Sequence, residues 1–167
     1  MIPELNPRQR AWVEVSPAAI RANARALCQH LGPRTQLMAV VKADGYGHGA
    51  ETVARAALQG GASSLGVATL QEGLELRRAG LEAPVLLLSN LIEPDDLRTC
   101  LHWRLMPTLS SLRDAQLCNA VAADSGRRFD VQLKIDTGMA RLGCSLSDSH
   151  QTATGMQRLK HLNLAGI

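Results

Sequence analysis

Gln36-Leu37-Met38-Ala39-Val40-Val41-Lys42-Ala43-Asp44-Gly45-Tyr46-Gly47-His48-Gly49 runs from an unbroken apolar segment through a single lysine into three alternating glycines. An apolar run that does not alternate with polar residues is the pattern of a strand buried on both faces, as in parallel sheets covered by helices. Short apolar runs recur at Ser63–Ala68, Pro84–Ser89, Arg104–Thr108, Phe129–Ile135 and Leu162–Ile167. The stretches between them carry helix signals. Ser16-Pro17 reads as an N-cap with proline in the first turn, and Gly32-Pro33 closes that helix. Ala50–Gln59 ends on Gly60-Gly61, which suits a left-handed C-terminal cap. Thr69 and Glu72 form a capping box for a helix stopping at Gly80, and Glu93-Pro94-Asp95-Asp96 opens another with acid where the helix dipole favours it.

Strand–helix alternation of this type predicts an α/β fold with a parallel sheet. Six strands without a break in the pattern fit a doubly wound sheet or part of a (β/α)8 barrel. The final run, Leu162–Ile167, reads as an apolar strand with no helix after it, which leaves an open edge and an uncovered face. A complete barrel takes about 250 residues and this chain has 167, so the expectation is a fragment, or a chain whose open side another chain closes, a second copy included.

Composition narrows the function classes. Hydrophobic residues make up 46% and charged residues 20%, which fits a folded globular core. Aromatic residues are 2%, too few for a base-stacking surface, and the net charge of +3 comes from scattered basic residues, so no nucleic-acid partner is expected. No apolar run approaches the roughly 18 residues of a membrane span, and the first residues lack a signal-peptide pattern. Cys28, Cys100, Cys118 and Cys144 show no metal-ligand spacing and read as small buried residues of a reducing compartment. The expected location is the cytoplasm, with no membrane partner and no structural metal.

Two segments could carry chemistry. Lys42 is one of only three lysines, with Lys134 and Lys160, among 18 basic residues. It follows the first strand at its carboxyl end, on the face of Met38 and Val40 by period-two alternation, and that end is where parallel α/β folds bind ligands. Desolvation there would free the amine as a nucleophile or base; a lysine that simply extends into solvent beside a glycine-rich loop is the alternative. The second segment is Lys134-Ile135-Asp136-Thr137-Gly138-Met139-Ala140-Arg141-Leu142-Gly143. Phe129, Val131, Leu133 and Ile135 alternate with Asp130, Gln132, Lys134 and Asp136, giving one apolar face and one polar face. The polar face either meets solvent or lines a cavity, where Lys134 and Asp136 would lie near a ligand with Arg141 reaching in to fix an anionic oxygen.

Both segments resemble known signatures. Val40–Gly49 is similar to the pyridoxal-phosphate attachment signature of alanine racemases, and Lys134–Gly143 to that family's second signature; Trp12-Val13-Glu14-Val15 before a helix resembles the family's start. The likeness runs from about Trp12 to Ile167, with both signatures in order. It implies the amino-terminal part of a fold-type III TIM barrel, covering residues 1–167 with six of eight parallel strands and their helices, and lacking the family's carboxyl-terminal β domain. It further implies interconversion of L- and D-alanine, the supply of D-alanine for peptidoglycan, with pyridoxal 5′-phosphate as cofactor in a homodimer. By that resemblance Lys42 carries the cofactor as a Schiff base and acts as one of two proton-transfer bases. Tyr46 helps hold the cofactor phosphate. Arg141 donates to the cofactor's phenolic oxygen and lies near the substrate carboxylate, while Lys134 matches a position carbamylated in some members. Asp44 and His48 are read as shaping the loop. The family's second base is a tyrosine of the partner's carboxyl-terminal domain, and the one tyrosine here is Tyr46, so the chain alone is expected to be inactive. Racemisation of serine or lysine, a non-catalytic pyridoxal-phosphate carrier, and a split product that pairs with another chain are the rival readings.

Overall fold

The computed structural model describes residues 11–167. Helix α1 (Pro17–Leu31) starts where Ser16 Oγ accepts the Ala19 amide at 3.3 Å and Pro17 takes the first turn, and it ends at Gly32 with φ +74°. The chain then enters β1 (Met38–Val40), a short turn α2 (Lys42–Gly47) and α3 (Ala50–Gln59). There follow β2 (Ser64–Val67), α4 (Leu70–Arg78), β3 (Val85–Leu87), α5 (Pro94–His102), β4 (Met106–Leu109), α6 (Leu112–Asp124), β5 (Phe129–Leu133), α7 (Ser149–Gln157) and β6 (Leu162–Gly166). Both reciprocal bonds of the Thr69/Glu72 capping box are present at the start of α4.

All six strands are parallel, in the order β1-β2-β3-β4-β5-β6. Each strand lies beside its predecessor, so the sheet winds in one direction. A doubly wound sheet reverses at a switch point, and this sheet has none. Its winding is that of a barrel wall, which settles the choice left open by the sequence pattern. The fold is α/β, a partial (β/α)8 barrel of six strands. Leu65, Val67, Leu87, Leu109, Val131 and Leu133 from the strands pack with Ala54, Leu76, Leu97, Cys118 and Met156 from the helices to make the main core. Among the described residues no helix is long and apolar enough to cross a membrane.

Several boundaries move. The fourth strand begins at Met106 rather than Arg104, because Arg104 takes φ +52° and the Arg104 and Leu105 amides turn back to the carbonyls of Leu101 and Cys100, closing α5. At the end of α3 the left-handed residue is Gly61 (φ +110°), while Gly60 stays right-handed. The fifth strand stops at Leu133, with Ile135 paired only to Cys144. Cys100, Cys118 and Cys144 are buried, but Cys28 is only partly so, since α1 buries a single residue, Ala24.

Candidate active site

The strand β1 ends two residues before Lys42. Val41 is fully buried and still bonds to the sheet through its amide and the Gly66 carbonyl at 2.8 Å, but its backbone (φ −119°, ψ 20°) has left the extended region. Lys42 therefore opens a turn instead of continuing the alternation of Met38 and Val40. Ala43, Asp44, Gly45 and Tyr46 then take φ between 50° and 61° and ψ between 35° and 51°, one turn of left-handed helix. That conformation costs an L-residue about 1–2 kcal/mol, and three of the four have side chains. Local bonds and one tertiary bond hold it. The Gly45 amide donates to the Val41 carbonyl at 2.9 Å, the Ala43 amide to Glu72 Oε1 at 2.7 Å, and the Ala50 amide to Asp44 Oδ1 at 2.8 Å. His48 Nδ1 lies 3.0 Å from the Tyr46 carbonyl and 3.2 Å from that of Gly45. Asp44 and His48 thus shape the loop, Asp44 by capping α3. At Gly45 the chain has no room for a side chain, since a Cβ would stand 2.9 Å from Val53 Cγ2.

The turn folds Tyr46 back on the lysine. Lys42 Nζ lies 5.7 Å from the centroid of the Tyr46 ring. Lys42 is half-buried and Tyr46 is 60% exposed, so an amine and a phenol stand together at the carboxyl end of β1 with access from outside.

The second segment follows β5. Phe129, Val131 and Leu133 are buried whereas Asp130 is exposed and Gln132 half-buried, as the alternation requires. Past the strand the chain makes a closed loop, stapled at its base by Asp136 N–H to the Cys144 carbonyl and Cys144 N–H to the Lys134 carbonyl, each 2.9 Å. The Asp136 carboxylate turns into its own loop. Its Oδ1 accepts the amides of Gly138 at 2.9 Å and Ala140 at 3.0 Å, which hold its carboxyl below the usual carboxylate range. Gly143 closes the loop with φ +116°, at a point where a Cβ would stand 2.5 Å from the Asp136 nitrogen. Arg141 is exposed on this loop and Lys134 is half-buried at its base. Among the described residues the side chains of Lys134 and Arg141 make no ion pair. Lys42 and Tyr46 on the loop after β1, and Lys134 and Arg141 on the segment after β5, lie at the carboxyl ends of strands four positions apart in the sheet.

The opposite end holds a cavity lined by Pro84, Val85, Met106, Phe129 and Arg77, at the amino ends of β3, β4 and β5. Arg77 donates there to the carbonyls of Leu81, Ala83, Trp103 and Arg104, so its guanidinium is spent on chain geometry; burial lowers its pKa, with Arg104 adding to the effect. Glu72 is the site residue that sequence reasoning missed. Its capping-box pattern was visible, but its bond to Ala43, 29 residues away, leaves no local signal.

Comparison with known proteins identifies the family. The family model described as alanine racemase, N-terminal domain, matches residues 15–167. An alanine racemase of Prochlorococcus marinus is 59% identical over 98% of this chain and 42% of its own length. One from Synechocystis is 50% identical over 96% of this chain and 43% of its own length. The crystal structure of the alanine racemase from E. faecalis superposes with a TM-score of 0.83 at 35% identity, covering 92% of this chain and 42% of that one. The chain therefore spans less than half the length of the relatives it matches.

Proposed function

Because this chain belongs to the alanine racemase family, we propose that it forms the cofactor-attachment half of an enzyme interconverting L- and D-alanine. The observation that carries the proposal is the left-handed turn that presents the Lys42 amine beside the Tyr46 phenol at the carboxyl end of β1. That end of a parallel barrel is where active sites are built. The donor set fits pyridoxal phosphate. A primary amine can hold an aldehyde, and a phenol can donate to a phosphate oxygen. When bound, this cofactor supplies the electron sink that stabilises negative charge at an amino acid's α-carbon.

The residues of this chain then divide the remaining work. Lys42 is the attachment point and, once released, holds or delivers the α-proton on one face of the substrate through Nζ. Tyr46 binds the phosphate through its hydroxyl. Arg141 keeps its charge at any working pH and fixes an anionic oxygen of substrate or cofactor. Carbamylation of Lys134 would turn a cation that repels Arg141 into an anion that orients it. Racemisation needs a second base on the opposite face. By its resemblance to the family that base is a tyrosine of the carboxyl-terminal domain, and Tyr46, the one tyrosine in the sequence, stands on the same turn as Lys42, so in this reading the second base comes from the part of the relatives that this chain does not span. A homodimer in the cytoplasm supplying D-alanine for peptidoglycan is the setting this reading implies. The names carried by the relatives favour alanine over serine or lysine.

The test is incubation of the full-length protein and pyridoxal phosphate with α-deuterated L-alanine. Loss of the label with appearance of D-alanine is expected. Cofactor uptake with the label retained would instead identify a carrier and overturn the proposal.

A further inference from the structure

Glu72 sits at the third position of α4, and its two oxygens serve two different loops. Oε2 accepts the amides of Ala68 at 2.7 Å and Thr69 at 3.1 Å, on the loop that follows β2. Oε1 accepts the amide of Ala43 at 2.7 Å, on the loop that follows β1. The Ala43 amide belongs to the peptide joining it to Lys42, and Ala43 is the first residue of the left-handed turn. The bond therefore fixes the peptide plane on the carboxyl side of Lys42, at the point where an alanine is held in a conformation it disfavours. The loop carrying Glu72's other partners is itself tied onward, because Ser89 Oγ donates to the Ala68 carbonyl.

We propose that Glu72 is a positioning residue for Lys42, its carboxylate holding the Lys42–Ala43 peptide so that the amine is presented for cofactor attachment. The inference rests on the proposed function for its purpose, but the anchoring itself does not. A carboxylate is required because both oxygens accept. A glutamine offers one oxygen and one NH2 group. Its oxygen can serve the Ala68 and Thr69 amides and preserve the capping box, which turns the NH2 towards the Ala43 N–H, where two donors meet. Glu72→Gln thus separates the two jobs of the side chain, and Thr69→Ala weakens the cap while leaving the Ala43 bond in place.

The experiment compares wild type, Glu72→Gln and Thr69→Ala in the full-length protein by amide hydrogen exchange and by the rate at which pyridoxal phosphate plus borohydride modifies Lys42. In Glu72→Gln, exchange at Ala43 is expected to rise about tenfold, the effect of one lost charge-assisted hydrogen bond. Exchange in α4 should stay near wild type and Lys42 capture should slow several-fold. Thr69→Ala should loosen the start of α4 with Lys42 capture unchanged. Unaltered Ala43 exchange in Glu72→Gln overturns the anchoring, and faster exchange with undiminished capture overturns the positioning role. If wild type shows no Lys42 adduct, the cofactor reading and the positioning role fail together, while the Ala43 exchange still decides whether Glu72 holds the turn.

Discussion

Replacing Gly143 with alanine should open the Asp136–Gly143 loop without unfolding the strand beneath it. The added Cβ would stand 2.5 Å from the Asp136 nitrogen, 2.8 Å from the Ile135 carbonyl carbon and 3.2 Å from the Asp136 Cα, and all three are backbone atoms that cannot rotate away. The residue also has φ +116°, outside the left-handed well that L-residues visit. Strained backbone of this kind costs about 1–3 kcal/mol, and overpacking against a fixed wall about 1–3 kcal/mol more. Opening the loop sacrifices the two base hydrogen bonds between Cys144 and its partners Asp136 and Lys134, at about 0.5–1.5 kcal/mol each. Release is the cheaper response, so the loop should detach and carry Arg141 with it. Amide exchange reads this directly. Asp136 and Cys144 should exchange at least about tenfold faster than in wild type, while Val131 and Leu133 in β5 keep their protection. Unchanged protection at Asp136 and Cys144 would show that the loop yields without cost and that the clash argument is wrong.

Other consequences follow from individual groups. The amides of Gly138 and then Ala140 favour the Asp136 carboxylate, so its folded pKa lies below the unfolded value. Its contribution to holding the loop is complete above the unfolded value of about 3.9 and is lost as pH falls through the lower folded one. The Gly138 and Ala140 amide resonances should titrate with a midpoint below that of a free aspartate, and an ordinary midpoint would refute the assignment. Burial pushes the Cys118 thiol up to about 12, with Asp114 adding to it, and the Cys100 thiol higher still. Alkylation of the native protein at pH 8 should therefore mark Cys28 first and spare these two, as peptide mapping would show; early modification of Cys118 would contradict the packing of α6. Arg141→Ala should weaken turnover of alanine by an order of magnitude or more while changing Lys42 capture of the cofactor little; equal losses in both would remove Arg141 from the substrate site.

Much of this architecture was legible in the sequence because its signals are local. Ser16 and the Thr69/Glu72 box mark helix starts through bonds made within one turn, and Glu93-Pro94 marks one through proline's fixed φ and the acids that follow it, without a side-chain cap bond. The apolar runs located all six strands, β2, β3 and β4 because they are buried almost throughout and β5 through the alternation of its buried and open faces. Strand order was not legible, since apolar runs in a barrel and in a doubly wound sheet look alike until their pairing is known. The glycines at 45, 47 and 49 announced a turn, but not that Ala43, Asp44 and Tyr46 would share its left-handed conformation. That outcome depends on Asp44 capping α3 six residues on and on a carboxylate in α4, a contact made from 29 residues away. Asp136 shows the opposite limit. Period-two alternation placed it on the polar face, yet the strand stops at Leu133 and its carboxylate turns into its own loop.

The central claim is that the turn after β1 makes Lys42 the one lysine prepared to hold the cofactor, and chemical trapping tests it most directly. The purified protein is incubated with pyridoxal phosphate, reduced with borohydride, digested and mapped. The account predicts a single reduced adduct, on Lys42. Labelling spread over Lys42, Lys134 and Lys160, or absent from all three, would contradict it.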